Sequence, residues 1–178
     1  VQSGWLPQFP QIHGDAPPMN GFHSTIMLLD AYRKGVHNFD AEVAFQAMKK
    51  NALEGSMIPW SMGEHSPLDK LALELGYFPA LHPGEKETDS KVHDFEKRQA
   101  VAVTLAQGYD DWALAEFAKE LGKEDDYKYF SKTAQNYKNL FWKEKGFFMP
   151  KDAKGNWIDI DPKFDGGMGG RDYYDENN

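Results

Sequence analysis

The sequence predicts an all-α fold, with helices arranged as hairpins and long polar, aromatic loops between them. Two observations carry this. Apolar residues recur at helical spacing in six segments, each bounded by capping or breaking residues. Strand-like alternation is confined to one short stretch, so the βαβ order of a parallel-sheet protein is absent.

Residues 1–21 read as loop, because Gly4-Trp5-Leu6-Pro7, Phe9-Pro10 and Pro17-Pro18 break any period. Trp5 and Phe9 are large enough to pack across a neighbouring element. A helix is expected over about 23–34, with Phe22, Ile26, Leu29 and Arg33 on one stripe and Gly35 suited to the left-handed position beyond its end. Asp40 has the character of an N-cap for a second helix, about 41–52, whose inner face is Ala44, Met48 and Ala52. The short connection makes these two antiparallel neighbours. Ser66-Pro67-Leu68-Asp69 starts a third helix with cap, first-position proline and third-position acid, and Gly76 stops it. After a loop over 77–90, helices are expected at about 92–107 and about 110–121, the latter closed by Gly122. A sixth helix, about 125–141, carries Tyr127, Phe130, Ala134, Tyr137 and Phe141. Residues 156–161 alternate and suit a short strand, whereas Gly166-Gly167-Met168-Gly169-Gly170 excludes helix. No composition shift marks a boundary, so residues 1–178 are read as part of one domain.

Composition narrows the function. An apolar share of 40% over 178 residues is enough for a core. The formal charge of −8 argues against nucleic acid and against anionic membrane surfaces. No apolar run approaches the roughly 20 residues of a spanning helix. Val1-Gln2-Ser3-Gly4 has neither a basic start nor an apolar stretch, and with no initiator Met the sequence is expected to be an internal or processed piece. The absence of cysteine excludes disulfides and Cys-ligated metal sites.

The stretch Asp172-Tyr173-Tyr174-Asp175-Glu176-Asn177-Asn178 sets acids among rings and amides, a combination that suits a sugar site. Rings stack on pyranose faces, amides bond hydroxyls, and a partly desolvated Glu176 beside Asp172 and Asp175 can hold a proton near neutral pH. A solvated acidic tail is the alternative. Asp15 and His23 could bond hydroxyls, or serve as a turn acid and a helix-start histidine. Asp110 and Asp111 read as first-turn acids that favour the helix dipole, with Trp112 in the core. Glu96-Lys97-Arg98 reads as an exposed charged turn or a binding rim. Trp5 and Trp60 are candidate stacking rings or core. Asp159, Asp161 and Asp165 do not fit an EF-hand spacing and read as a polar turn.

Several segments, in order, resemble glycoside hydrolase family 92. They are Gly4-Trp5-Leu6-Pro7, Gly14-Asp15, Met19-Asn20-Gly21-Phe22-His23, Asp30-Ala31-Tyr32-Arg33-Lys34-Gly35 and Phe39-Asp40. Leu75-Gly76-Tyr77-Phe78-Pro79, Tyr109-Asp110-Asp111-Trp112, Gly146-Phe147-Phe148 and Glu176-Asn177-Asn178 follow.

The resemblance implies exo-acting, calcium-dependent α-mannosidases that invert the anomeric carbon, of α-1,2 linkages foremost, in N-glycans or mannans. It implies an (α/α)6 toroid, of which this sequence would be the N-terminal half, preceded by a β-sandwich and followed by the rest of the toroid. Glu176 would be the general acid, with the base later in the chain. Asp15 and His23 would bind substrate, most calcium ligands would lie elsewhere, and the enzyme would work outside the cytoplasm. One departure is visible: many members carry Thr-Leu-Glu-Tyr where Thr104-Leu105-Ala106-Gln107 stands, with acids upstream at Asp94 and Glu96, which bears on linkage specificity. Glucoamylase-like or trehalase-like enzymes on the same toroid, and a non-enzymatic helical interaction module, are the alternatives.

Overall fold

A computed structural model of the chain describes residues 4–15, 20–161 and 172–174. A minimal hairpin, β1 (Pro10–Gln11) with β2 (Gly14–Asp15), precedes five α-helices: α1 (Ser24–Arg33), α2 (Ala41–Glu54), α3 (Pro67–Leu75), α4 (Ala100–Glu120) and α5 (Glu124–Thr133). A 3-10 turn at Asn136–Leu140 leads into a second hairpin, β3 (Phe141–Trp142) with β4 (Phe147–Phe148). The mostly helical architecture is as the sequence predicts. None of the described helices is long and apolar enough to cross a membrane.

Local chemistry fixes α2 and α3. Asp40 accepts a hydrogen bond from the Val43 amide at 3.0 Å and caps α2. Ser66 Oγ accepts from the Leu68 and Asp69 amides, while Asp69 Oδ2 accepts from the Ser66 amide at 2.7 Å, a complete capping box for α3. Such a cap contributes about 1 kcal/mol. Asp69 also accepts from the Met57 amide and Ser56 Oγ, so one buried carboxylate ties the loop after α2 to the start of α3. Gly76 ends α3 in the left-handed conformation, φ +70°, as its place in the sequence requires.

The second half differs from expectation. Of the helix expected at 92–107, residues 92–99 are not helical: Lys97 and Gln99 lie at φ +57° and +47°, and the helical path opens only at Ala100. From there α4 continues without a break through Gly108, so the two helices expected at 92–107 and 110–121 are one helix of 21 residues. Gly108 is retained inside it because the chain after α5 crosses there; an added Cβ would meet the Ala134 carbonyl oxygen at 3.2 Å. The expected helix over 125–141 stops at Thr133 and tightens into the 3-10 turn before β3. The strand expected at 156–161 reduces to a single bridge between Lys151 and Trp157.

Helix α4 is buried nearly all round and passes through two cores. Its C-terminal half packs with Phe45, Met48 and Phe130 in the first. Its N-terminal half packs with Ile58, Phe78, Leu140 and Ile158 in the second. Helix α1 runs parallel to α4, since His23 at its start meets Asp110 and Arg33 at its end bonds Glu116 and Glu120. Helix α2 runs the other way, with Glu42 at its start paired to Lys123 just past α4. The turns 34–40 and 121–123 lie at that end and are short. The long segments before α1, after α2 and after α3 gather at the other end, around the N-terminus of α4. Long loops set on a rigid frame are where sites are built.

Candidate active site

Three segments converge along the N-terminal half of α4. The first is Asn20–His23. Asp110, fully buried on α4, accepts from the Phe22 amide at 2.6 Å through Oδ2, and its Oδ1 receives His23 Nδ1 at 2.7 Å. Asp110 therefore anchors the segment that leads into α1 from the middle of another helix and does not serve the start of its own, which corrects the first-turn reading of the acid pair. The carboxylate raises the pKa of the half-exposed His23 by hydrogen bonding, against the opposite pull of burial, and the imidazole is held in its charged form to higher pH. Gly21 makes the approach possible: at φ +72°, a Cβ there would meet His23 Cε1 at 2.6 Å and Asp110 Oδ2 at 2.9 Å.

The second segment is the elbow at 96–102. Gln99 donates to Glu96 Oε2 at 3.1 Å and accepts from Asn20 Nδ2 at 3.3 Å, linking the elbow to the first segment. Glu96 and Arg98 are buried, not an exposed helical turn. Arg98 grips Glu87 with two nitrogens, at 2.6 and 2.8 Å, and gives a third to the Pro79 carbonyl. Left-handed backbone at Lys97 and Gln99 is of the kind that surrounding contacts must hold in place.

The third segment is Asp172–Tyr174. The first turn of a helix leaves its amides without partners. Here the Tyr173 carbonyl accepts from the Val101 and Ala102 amides at 2.8 and 3.3 Å. Tyr173 Oη donates to the Leu81 carbonyl at 2.8 Å, and Tyr174 Oη donates to the Phe148 carbonyl at 2.6 Å. Both rings are buried. Aromatic residues taken from the sequence as sugar-facing are thus anchors that fix this segment to α4.

Of the predicted site residues, Glu176 lies outside the described residues, as do Asp165 and the glycine run. His23 stands in the convergence. Asp15 stands apart from it, accepting from the Gln8 and Phe9 amides at 2.9 and 2.7 Å, so both its oxygens hold the loop before β1. It lines a hollow of about 360 Å3 together with Trp5, Asn51, Ser61 and Met62, and His23 does not line that hollow. Trp5 lies beneath the Lys50 ammonium at 4.5 Å. Trp60 and Trp112 are both nearly half exposed, and Trp112, expected in the core, stacks on Tyr109 instead. Asp159 is paired with Lys145.

Sequence reasoning passes over Gln99, whose role depends on an unusual backbone conformation, and reads as a helix-start acid the Asp111 that is buried inside α4. Burial pushes the Asp111 carboxyl up to about 7, opposed by hydrogen bonds from Thr133 and Gln107. The Tyr-Asp-Asp-Trp run was visible as a motif, but which acid faced which partner was not.

The chain matches the glycosyl hydrolase family 92 catalytic domain over residues 1–178. Among solved structures it is similar to the family GH92 inverting mannosidase BT2199 from Bacteroides thetaiotaomicron VPI-5482, at 34% identity and TM-score 0.70, over 89% of this chain and 19% of that one. It is also similar to the family GH92 α-mannosidase BT3965 from Bacteroides thetaiotaomicron in complex with mannoimidazole, at 31% identity and TM-score 0.69, over 89% of this chain and 18% of that one. The family glycosyl hydrolase ccman5, at 21% identity and TM-score 0.51 over 78% of this chain and 15% of that one, shares the fold. A comparison with curated proteins gives no match. The chain spans about a fifth of the length of the mannosidase structures it matches. A match along its whole length and an ordered helical frame shared with these enzymes place the chain in glycosyl hydrolase family 92.

Proposed function

We propose that the protein is an inverting exo-α-mannosidase, with Glu176 as its general acid. The observation that supports this most is the anchoring of Tyr173 and Tyr174. The acid follows two residues after Tyr174, in a segment that Tyr174 fixes to Phe148 and the Tyr173 carbonyl fixes to the first turn of α4, beside Gln99 and Glu96. Family membership favours this reading over the glucoamylase-like, trehalase-like and interaction-module alternatives.

In single displacement, a protonated carboxyl gives its proton to the departing glycosidic oxygen while a base draws a proton from the attacking water on the opposite face. The two carboxyls stand about 6.5–9.5 Å apart to admit that water. Glu176 takes the first role in this proposal, and the second is assigned to aspartates later in the full-length enzyme. His23, oriented by Asp110, is assigned to sugar hydroxyls. Asp15 is assigned to the substrate side through the hollow it lines with Trp5. The substrates proposed are N-glycans or mannans with α-1,2-linked mannose, and the setting proposed is outside the cytoplasm, with a β-sandwich domain and the rest of the toroid completing the site.

Calcium is part of the proposal. Among the described residues no group of three or more His, Asp or Glu side chains could hold a metal ion. These residues do not by themselves make a calcium site, and no step is derived through one. Chelation of the full-length enzyme, with activity restored by added calcium, tests the dependence.

Glu176→Gln in the full-length enzyme tests the acid. Removing a general acid costs about 10²–10⁴-fold. That loss is expected on mannosides with poor leaving groups and is largely spared when the leaving group needs no proton. Equal, small losses on both would refute the assignment.

A further inference from the structure

A groove of about 640 Å3 runs between the loop after α3 and the turn at 150–157, within the ~300–1,000 Å3 range of ligand pockets. Leu68, Leu71, Pro79, Ala80 and Leu81 line one part of it. His82, Thr88, Ser90 and Asn156 add imidazole, hydroxyl and amide groups to the lining. Charged residues line it as well: Arg98 is bound by Glu87 and the Pro79 carbonyl, Asp152 by four donors, Glu85 and Asp89 each accept from a backbone amide, and Lys154 is exposed.

His82 is the built element. Asp152 Oδ1 accepts from the Lys154 and Asn156 amides at 2.8 and 2.9 Å, and Oδ2 from Asn156 Nδ2 at 3.0 Å and His82 Nε2 at 3.2 Å. The carboxylate is saturated and rigid, and it fixes the half-exposed His82 ring through one nitrogen. The other, Nδ1, makes no hydrogen bond among the described residues and belongs to a side chain that lines the groove. An apolar lining mixed with uncharged hydrogen-bonding groups is the chemistry that takes pyranose faces and hydroxyls.

The groove also reaches the candidate site. Leu81, His82, Glu85 and Arg98 line both it and a smaller hollow of about 100 Å3 whose wall includes Tyr173. Leu81 is the residue whose carbonyl receives Tyr173 Oη.

We propose that this groove is the leaving-group subsite, holding the sugar residues that remain after the terminal mannose is cut, with His82 Nδ1 bonding a hydroxyl. This rests on the mannosidase reading above. The test uses the full-length enzyme with two substrates, an α-mannotriose and an aryl α-mannoside that has no sugar on the leaving side. His82→Ala removes the bonding ring, and Leu71→Trp obstructs the groove without touching it. One neutral hydrogen bond contributes about 0.5–1.5 kcal/mol, or roughly 2–12-fold. For each variant, kcat/KM on the trisaccharide is expected to fall about two-fold or more further than on the aryl mannoside, with the loss mainly in KM. Equal changes on the two substrates, or no change on either, would overturn the subsite while leaving the mannosidase reading intact. A wild-type enzyme inactive on both substrates would overturn the two together.

Discussion

Asp111→Asn isolates one buried charge. Asp111 is only 4% exposed, and it lines a small hollow between α2, α3, α4 and α5. Gln107 Nε2 donates to it at 2.9 Å, and the titratable groups around it, Asp110 and Tyr129, are both acidic. The folded protein holds its proton to about pH 7, whereas an unperturbed Asp gives it up at 3.8. Between those values the folded state keeps a proton that the unfolded state has lost, so raising the pH favours unfolding. The contribution is complete below pH 3.8, declines through that window, and levels off above about 7. At about 1.4 kcal/mol per pH unit, the span amounts to about 4 kcal/mol. Burial this deep leaves little solvent screening to reduce it. The assay is urea denaturation of wild type and Asp111→Asn at intervals from pH 4 to 8. Apart from Asp110 and Tyr129, which interact with Asp111, the groups titrate alike in both proteins, so the difference curve reports Asp111 and its coupling to them. The variant is expected to gain on wild type steadily up to neutral pH and then hold its lead. Parallel stability curves from pH 4 to 7 would refute the reasoning.

Three further outcomes are expected. Gly21→Ala forces a left-handed alanine, which costs about 1–2 kcal/mol from the backbone alone, and it displaces the His23 ring and Asp110 from their 2.6 and 2.9 Å approach; thermal denaturation should show a lower midpoint, and an unchanged one would contradict the close packing. Asp110→Asn removes the charge that raises His23, so the His23 titration followed by NMR should fall back toward about 6.5. In wild type, the stability that His23 contributes is complete below pH 6.5 and lost as pH rises through its raised value; that loss should vanish in the variant. Arg98→Lys replaces three hydrogen bonds with a point charge and should increase proteolysis within the 77–99 loop, which a rigid loop would resist.

What the sequence made legible was chemistry that closes over three or four residues. The Asp40 cap, the Ser66 and Asp69 capping box and the glycine stop at Gly76 depend on neighbours in the chain, and each stands where the sequence put it. The start of α4 does not depend on neighbours. It is set by left-handed Lys97 and Gln99, which no glycine announces, and by a bond from Gln99 to Asn20, 79 positions away. Asp110 and Asp111 misled for the same reason. Acids at a helix start and acids satisfied by distant amides look identical in a linear pattern. Trp112 follows from this: with Asp110 and Asp111 turned inward, the next side of α4 carries Trp112 toward solvent. The candidate site was legible as an ordered set of motifs, whereas its assembly around α4 required tertiary contacts.

The long-range clamp on Phe22 and His23 also bears on how the chain matures. During synthesis the segment ahead of α1 emerges well before Asp110, 88 positions later, so its anchor does not yet exist when it leaves the ribosome. The opening loop and the first helix can take their final relation only after most of the central helix has been made. Cutting the gene anywhere before that aspartate therefore yields a product in which Phe22 and His23 lack this anchor, leaving the contacts of Trp5 and Leu6 with α2 to hold the leading segment.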